Sequence, residues 1–171
     1  MKDSVIFRKF GGEKIPHVDE YIEKYMETHK NIEILVGTDS QIRGGEIIYS
    51  TVIALYTPGH GAHCIFKKWR EPRLRAKPGS TPEERQKRLE EERRNRLTNE
   101  VWASIACAEE LKQHGIKSVK YIDIDINPNP KYKSSEVFAS ARGMVEGMGY
   151  GVRDKDNAPL VTTMADYLVK H

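Results

Sequence analysis

The chain has 171 residues, 38% hydrophobic and 31% charged, which supplies one compact core and is too short for two independent ones. Its apolar residues nowhere approach the roughly 18 in a row that a membrane span needs, and its opening, MKDSVIFRKF, has no signal-peptide core. Cys64 and Cys107 are the only two cysteines and lack CxxC spacing, so a cytoplasmic protein with buried free thiols is expected. The formal charge of +3 is unevenly placed: Lys67 to Arg96 carries twelve Lys or Arg against six Glu, a local excess of six positive charges. Such a block either attracts a polyanion or forms a solvated surface.

Val18, Tyr21, Ile22, Tyr25 and Met26 recur at helical spacing and predict a short amphipathic helix over residues 16–29. The run Ile32, Ile34, Leu35, Val36 leads into Gly37-Thr38-Asp39-Ser40-Gln41, a buried strand that places Asp39 at its mouth. Gly44-Gly45 predicts a hairpin into a second strand, EIIYSTVIALYT, and Pro58-Gly59 a turn into a third, AHCIFKKW. Residues 70–80 read as an exposed loop. Thr81-Pro82-Glu83-Glu84 then opens a helix to His114, with Thr81 as its cap. Only its second half, carrying Leu97, Val101, Trp102, Ile105, Ala108 and Leu111, is expected to pack on the sheet.

Residues 116–126 alternate into Asn127-Pro128-Asn129-Pro130, which ends a fourth strand with Asp123 and Asp125 on one face. Ser134 or Ser135 opens a helix to about Met148, where Met144 and Met148 read as core. A short strand follows Tyr150, and a last helix over residues 161–169 carries Asp166. The order implies a single α/β domain over residues 1–171: three antiparallel strands, then parallel strands, flanked by helices, with a basic loop and half-helix insertion at about 67–96.

Asp39, Glu100, Asp125 and Asp166 lie on four different elements. Each alone is an ordinary turn or surface acid, but parallel strands bring their carboxyl ends together and a crossing helix can deliver Glu100 to the same point. Clustered, partly desolvated carboxylates repel unless a cation neutralises them. Mg²⁺ prefers such hard oxygens, Mn²⁺ serves similarly, and two ions can activate water and neutralise a leaving 3′-oxygen. Phosphodiester hydrolysis without a covalent intermediate is the chemistry this implies.

The segments VGTDSQ (36–41), LTNEVWAS (97–104), DIDINPNPKYKSSEV (123–137), GMVEGMGYGV (143–152) and ADYLVK (165–170) resemble the ribonuclease H-like YkuK family. That resemblance implies a ribonuclease H fold and a nuclease acting on RNA or an RNA–DNA hybrid. Asp39 would be the central ligand, Glu100 the helical, Asp125 the fourth-strand and Asp166 the last-helix ligand, with Asp123 behind them. Lys67, Lys68, Arg70, Arg73, Arg75, Lys131 and Lys133 are the candidate phosphate contacts. Two other readings stay open: a non-catalytic nucleic-acid-binding module of the same fold, and a hydrolase of small phosphoesters. DIDIN (123–127) also resembles the phosphatase motif DxDx[TV], but only 44 residues follow it. His60 and His63 lack a second pair of ligands for zinc.

Overall fold

The computed structural model describes residues 6–132, 134–154 and 160–171. Two short strands, β1 (Phe7–Lys9) and β2 (Lys14–Ile15), and helix α1 (Val18–Thr28) come first. Three long strands follow, β3 (Glu33–Arg43), β4 (Glu46–Thr57) and β5 (Gly61–Pro72). Then come α2 (Pro82–Gln113), β6 (Val119–Asp123), α3 (Ser135–Gly147), β7 (Gly151–Arg153) and α4 (Leu160–Lys170). The seven strands make one sheet in the order β2-β1-β5-β4-β3-β6-β7. Pairing is antiparallel from β2 through β3 and parallel for β3–β6 and β6–β7. This is the mixed α/β sheet expected from the sequence. Among the described residues no helix is long and apolar enough to cross a membrane.

Local chemistry accounts for the main elements. Gly44, at φ 63°, gives the tight turn between Arg43 and Glu46, which pair across the hairpin. Helix α2 starts in a capping box: Glu84 N donates to Thr81 Oγ1 at 3.2 Å and Thr81 N to Glu84 Oε2 at 2.8 Å, with Pro82 in the first turn. Strand side chains alternate between two cores. Ile34, Val36, Ile53 and Ile65 pack with Leu97, Val101, Ile105 and Leu111 on the α2 face. Leu35, Val52, Ala54 and Cys64 pack with Val161, Ala165 and Leu168 on the α4 face. Both cysteines are buried and free, as the sequence led us to expect.

Several expectations need correction. Trp102 is 50% exposed rather than core, because one helical step of 100° past the buried Val101 turns it off the packed stripe. Met148 is also exposed, having passed the end of α3. Strand β5 runs to Pro72, so residues 70–72 belong to the sheet, paired with residues 46–48 of β4. The β1–β2 hairpin was not anticipated. Most consequentially, Asp39 is not at a strand end: β3 continues to Arg43, whereas β6 stops at Asp123, short of the expected 126.

Gly37 sits where β3, β6 and α4 meet. A Cβ there would lie 2.9 Å from Val161 Cγ1 and 3.2 Å from the Asp123 carbonyl oxygen, so only glycine permits this approach. Gly37→Ala is expected to destabilise the fold by about 1–3 kcal/mol, as overpacking usually does. Thermal denaturation checks this, and an unchanged melting temperature would show that α4 is not tightly seated.

Candidate active site

Parallel pairing between β3 and β6 ends at Gly37–Asp123, while antiparallel pairing of β3 with β4 continues six residues further, to Arg43–Glu46. Beyond Gly37 the β6 side of β3 therefore opens. Asp39 projects from this stretch, and Asp125 follows β6 by two residues. Helix α2 roofs the opening on one side of the sheet, where Thr38, Glu100, Ser104, Asp123 and Asp125 line a narrow crevice.

Glu100 is 4% exposed. Ser40 Oγ donates a short hydrogen bond to its Oε1, and Arg96 Nη1 stands 3.5 Å from the same oxygen. Arg96 Nη1 also donates to the Ser40 carbonyl at 2.5 Å and reaches Ser40 Oγ at 3.0 Å. One turn along, Ser104 Oγ lies 2.9 Å from Thr38 Oγ1 and 3.0 Å from the Glu100 carbonyl oxygen, and Thr38 Oγ1 lies 2.9 Å from Thr51 Oγ1. This buried hydroxyl row fixes the Glu100 turn of α2 against β3 and β4, next to Asp39.

The acids act on one another electrically. Burial, then repulsion from Asp39 and to a smaller extent Asp125, pushes the Glu100 carboxyl up to about 8 against the pull of Ser40 and Arg96. Burial likewise pushes Asp39 up to about 6, opposed by the Ser40 backbone N–H and reinforced by Asp125 and Asp166. Asp166 pairs with Lys170 Nζ at 2.5 Å, and the Lys170 ammonium is raised by that hydrogen bond, with attraction to Asp166, Asp39 and Asp125 adding to it. The four sequence-predicted acids thus share one field. Among the described residues, however, no three His, Cys, Asp or Glu side chains close on a common point as ligands of one ion.

Asp123 is buried and taken up by Arg153, whose Nε and Nη2 donate to its two oxygens at 2.8 and 3.1 Å. It ties β6 to β7 immediately before Asp125. Ser40, Arg96, Arg153 and Lys170 were not singled out from the sequence. The i,i+4 spacings of Arg96 to Glu100 and Asp166 to Lys170 were the available signal for two of them.

The basic candidates separate by face. Asp39, Ser50 and Lys68 are in register across β3, β4 and β5, as are Gln41, Ile48 and Arg70, so Lys68 and Arg70 share the Asp39 face. Lys67 projects to the opposite face, 4.9 Å over the Phe7 ring and 3.6 Å from Glu110; one residue of offset on a strand reverses the side. Arg73 is held by Glu92, with Nε 2.9 Å from both carboxylate oxygens. Arg75 and Lys131 are exposed, the latter on a turn where its N–H donates to Asn129 Oδ1 at 3.0 Å. Lys133 lies outside the described residues.

A family model described as Ribonuclease H-like matches residues 15–170 of the chain. No curated protein and no solved structure matches it.

The raised carboxyl of Glu100 gives a signed pH dependence. Between the ordinary glutamate value near 4.5 and about 8, the folded chain holds a proton on Glu100 that the unfolded chain has released, so this group's contribution falls as pH rises through that window. In the presence of a chelator, Glu100→Gln should therefore gain stability relative to the parent on going from pH 5 to pH 8.5. A melting-temperature difference that stays constant across that range would remove Glu100 from the strained acid group.

Proposed function

The chain belongs to the Ribonuclease H-like family, and we propose that it is a divalent-metal-dependent nuclease hydrolysing phosphodiester bonds of RNA or an RNA–DNA hybrid. The observation that carries this reading is the convergence of acids from separate elements: buried Glu100 and half-buried Asp125 line one crevice beside β3, and burial with the neighbouring carboxylates raises both Glu100 and Asp39. Desolvated carboxylates in one another's fields favour either a proton or a hard cation. Their donor chemistry fits Mg²⁺ or Mn²⁺. Mg²⁺ usually sits on one or two carboxylates and completes its octahedron with waters and substrate phosphate.

Asp39 and Asp125 would hold the metal most directly, Glu100 would complete one site, and Asp166 would hold a second ion or orient water. Two such ions, when bound, supply Lewis-acid stabilisation of the phosphoryl oxygens, a lowered pKa for the attacking water and charge neutralisation at the leaving 3′-oxygen. The chain's own residues supply orientation. Ser40 and Arg96 hold the Glu100 carboxylate in one rotamer. Arg153, by gripping Asp123, fixes the end of β6, two residues before Asp125.

One observation favours a rival, a nucleic-acid-binding module without catalysis: Arg96 and Lys170 already pair with two of the four acids. Cleavage of labelled RNA, DNA and hybrid, with and without Mg²⁺ or Mn²⁺, separates the two. Asp39→Asn and Asp125→Asn should each abolish metal-dependent cleavage, a loss of at least about 100-fold, while circular dichroism shows the fold retained. Parental rates in either variant would exclude that residue from the chemistry. A salt titration separates a polymeric substrate from a small phosphoester, since only polyanion binding weakens steeply with ionic strength.

A further inference from the structure

The sheet face that carries Asp39 packs against α4 over Leu35, Val52, Ala54 and Cys64, with Phe66 against the same cluster, and Ile48 and Ser50 beyond them are also buried. Toward the β3–β4 turn the next rows are Asp39–Ser50–Lys68 and Gln41–Ile48–Arg70, and Arg43 follows at the hairpin end. Alternation places Arg43, Lys68 and Arg70 on this one face. Partial burial, then repulsion from Arg70 and Arg43, lowers the Lys68 ammonium, and Glu46 lies 3.1 Å from Arg70. Two strand spacings, about 10 Å, separate Lys68 from Asp39, a gap that one or two nucleotides span.

An aromatic pair borders the cations. Phe66, two residues before Lys68 on the same face, has the Lys68 ammonium 6.0 Å from its ring centroid. Phe10 follows Lys9, the partner of Ile65, and so lies on the side of Phe66 away from Lys68; it meets Phe66 edge-on at 5.5 Å and is 44% exposed. An exposed ring at the end of a cationic strip offers a base a stacking surface. In a duplex both faces of each internal base are already stacked on neighbours, so a ring at this position is useful only to an unpaired base.

We propose that this strip binds single-stranded polynucleotide, with Lys68, Arg70 and Arg43 contacting phosphates and Phe10, backed by Phe66, stacking a base of the strand that leads to Asp39. This deepens the nuclease reading and rests on it for the direction of the strand, but binding can be measured without cleavage.

The test uses the full chain in EDTA and fluorescence anisotropy with three labelled probes: a 12-nucleotide oligo(U), the same length of oligo(dT), and an RNA–DNA hybrid duplex of that length. Both single strands should bind at least 5-fold more tightly than the hybrid. Phe10→Ala should weaken single-strand binding roughly 5- to 150-fold, the range for loss of one stacked base, and Phe10→Trp should restore it. Lys68→Gln with Arg70→Gln should flatten the logarithmic salt dependence by about 1.4, two phosphate contacts on a single strand. Lys67→Gln, on the opposite face, should leave binding unchanged. Tighter binding of the hybrid, parental affinity in Phe10→Ala, or equal losses from Lys67→Gln and Lys68→Gln alone would overturn the proposal. Intact single-strand binding without cleavage in Mg²⁺ or Mn²⁺ would instead defeat the nuclease reading and leave this surface standing. Cleavage without single-strand preference would defeat only the surface.

Discussion

The site depends on a mismatch of strand lengths. Strand β3 pairs with β4 along its whole length but with β6 only as far as Gly37. Had β6 continued in register, it would occupy the edge of β3 beside Asp39 and keep the chain through Asp125 within the sheet. Because it stops, the chain after Asp123 can leave the sheet and carry Asp125 past Asp39. Gly37 makes the departure possible, since it alone lets α4 and β6 approach β3 closely enough to bring Asp166 into the same field.

What holds the acids there is a balance of opposing charges. Burying Glu100 costs free energy, which the Ser40 hydroxyl and the Arg96 guanidinium offset only in part, and Asp39 and Asp125 oppose it further. Arg96 also donates to the Ser40 carbonyl and Oγ, and so ties α2 to β3 whether Glu100 is protonated or not. At the rim, Lys170 reaches the outer acid Asp166 from the last turn of α4. The two cations act from opposite faces of the sheet: Arg96 from α2, Lys170 from α4.

Much of the architecture was legible because its signals are local. Thr81, Pro82 and Glu84 start α2 through hydrogen bonds among four consecutive residues, and Gly44-Gly45 turns β3 into β4 by backbone freedom alone. Strands β1 and β2, three and two residues long, carry no periodicity; β1 pairs with β5, and β2 with β1 alone. The end of β3 was misplaced at Asp39 because polar residues there look like a loop, yet β4 supplies the partner that keeps them extended. Trp102 reads as core because it adjoins the apolar face of α2, but its helical angle turns it outward. The four acids were legible as types in the right elements. Which basic residues share their face was not: Lys67 and Lys68 are equivalent in sequence, and only the cross-strand register, a long-range property, separates them. Arg153 was equally hidden, since its partner Asp123 lies 30 positions away.

The central claim is that Asp39 and Asp125 grip a divalent cation. Its most direct measurement is anomalous scattering from crystals grown with Mn²⁺ and an uncleavable single-stranded oligonucleotide. The account predicts a Mn²⁺ peak at roughly 2.1 Å from carboxylate oxygens of both residues, with a phosphate oxygen completing the coordination. Ordered oligonucleotide with no peak between those two side chains would contradict it.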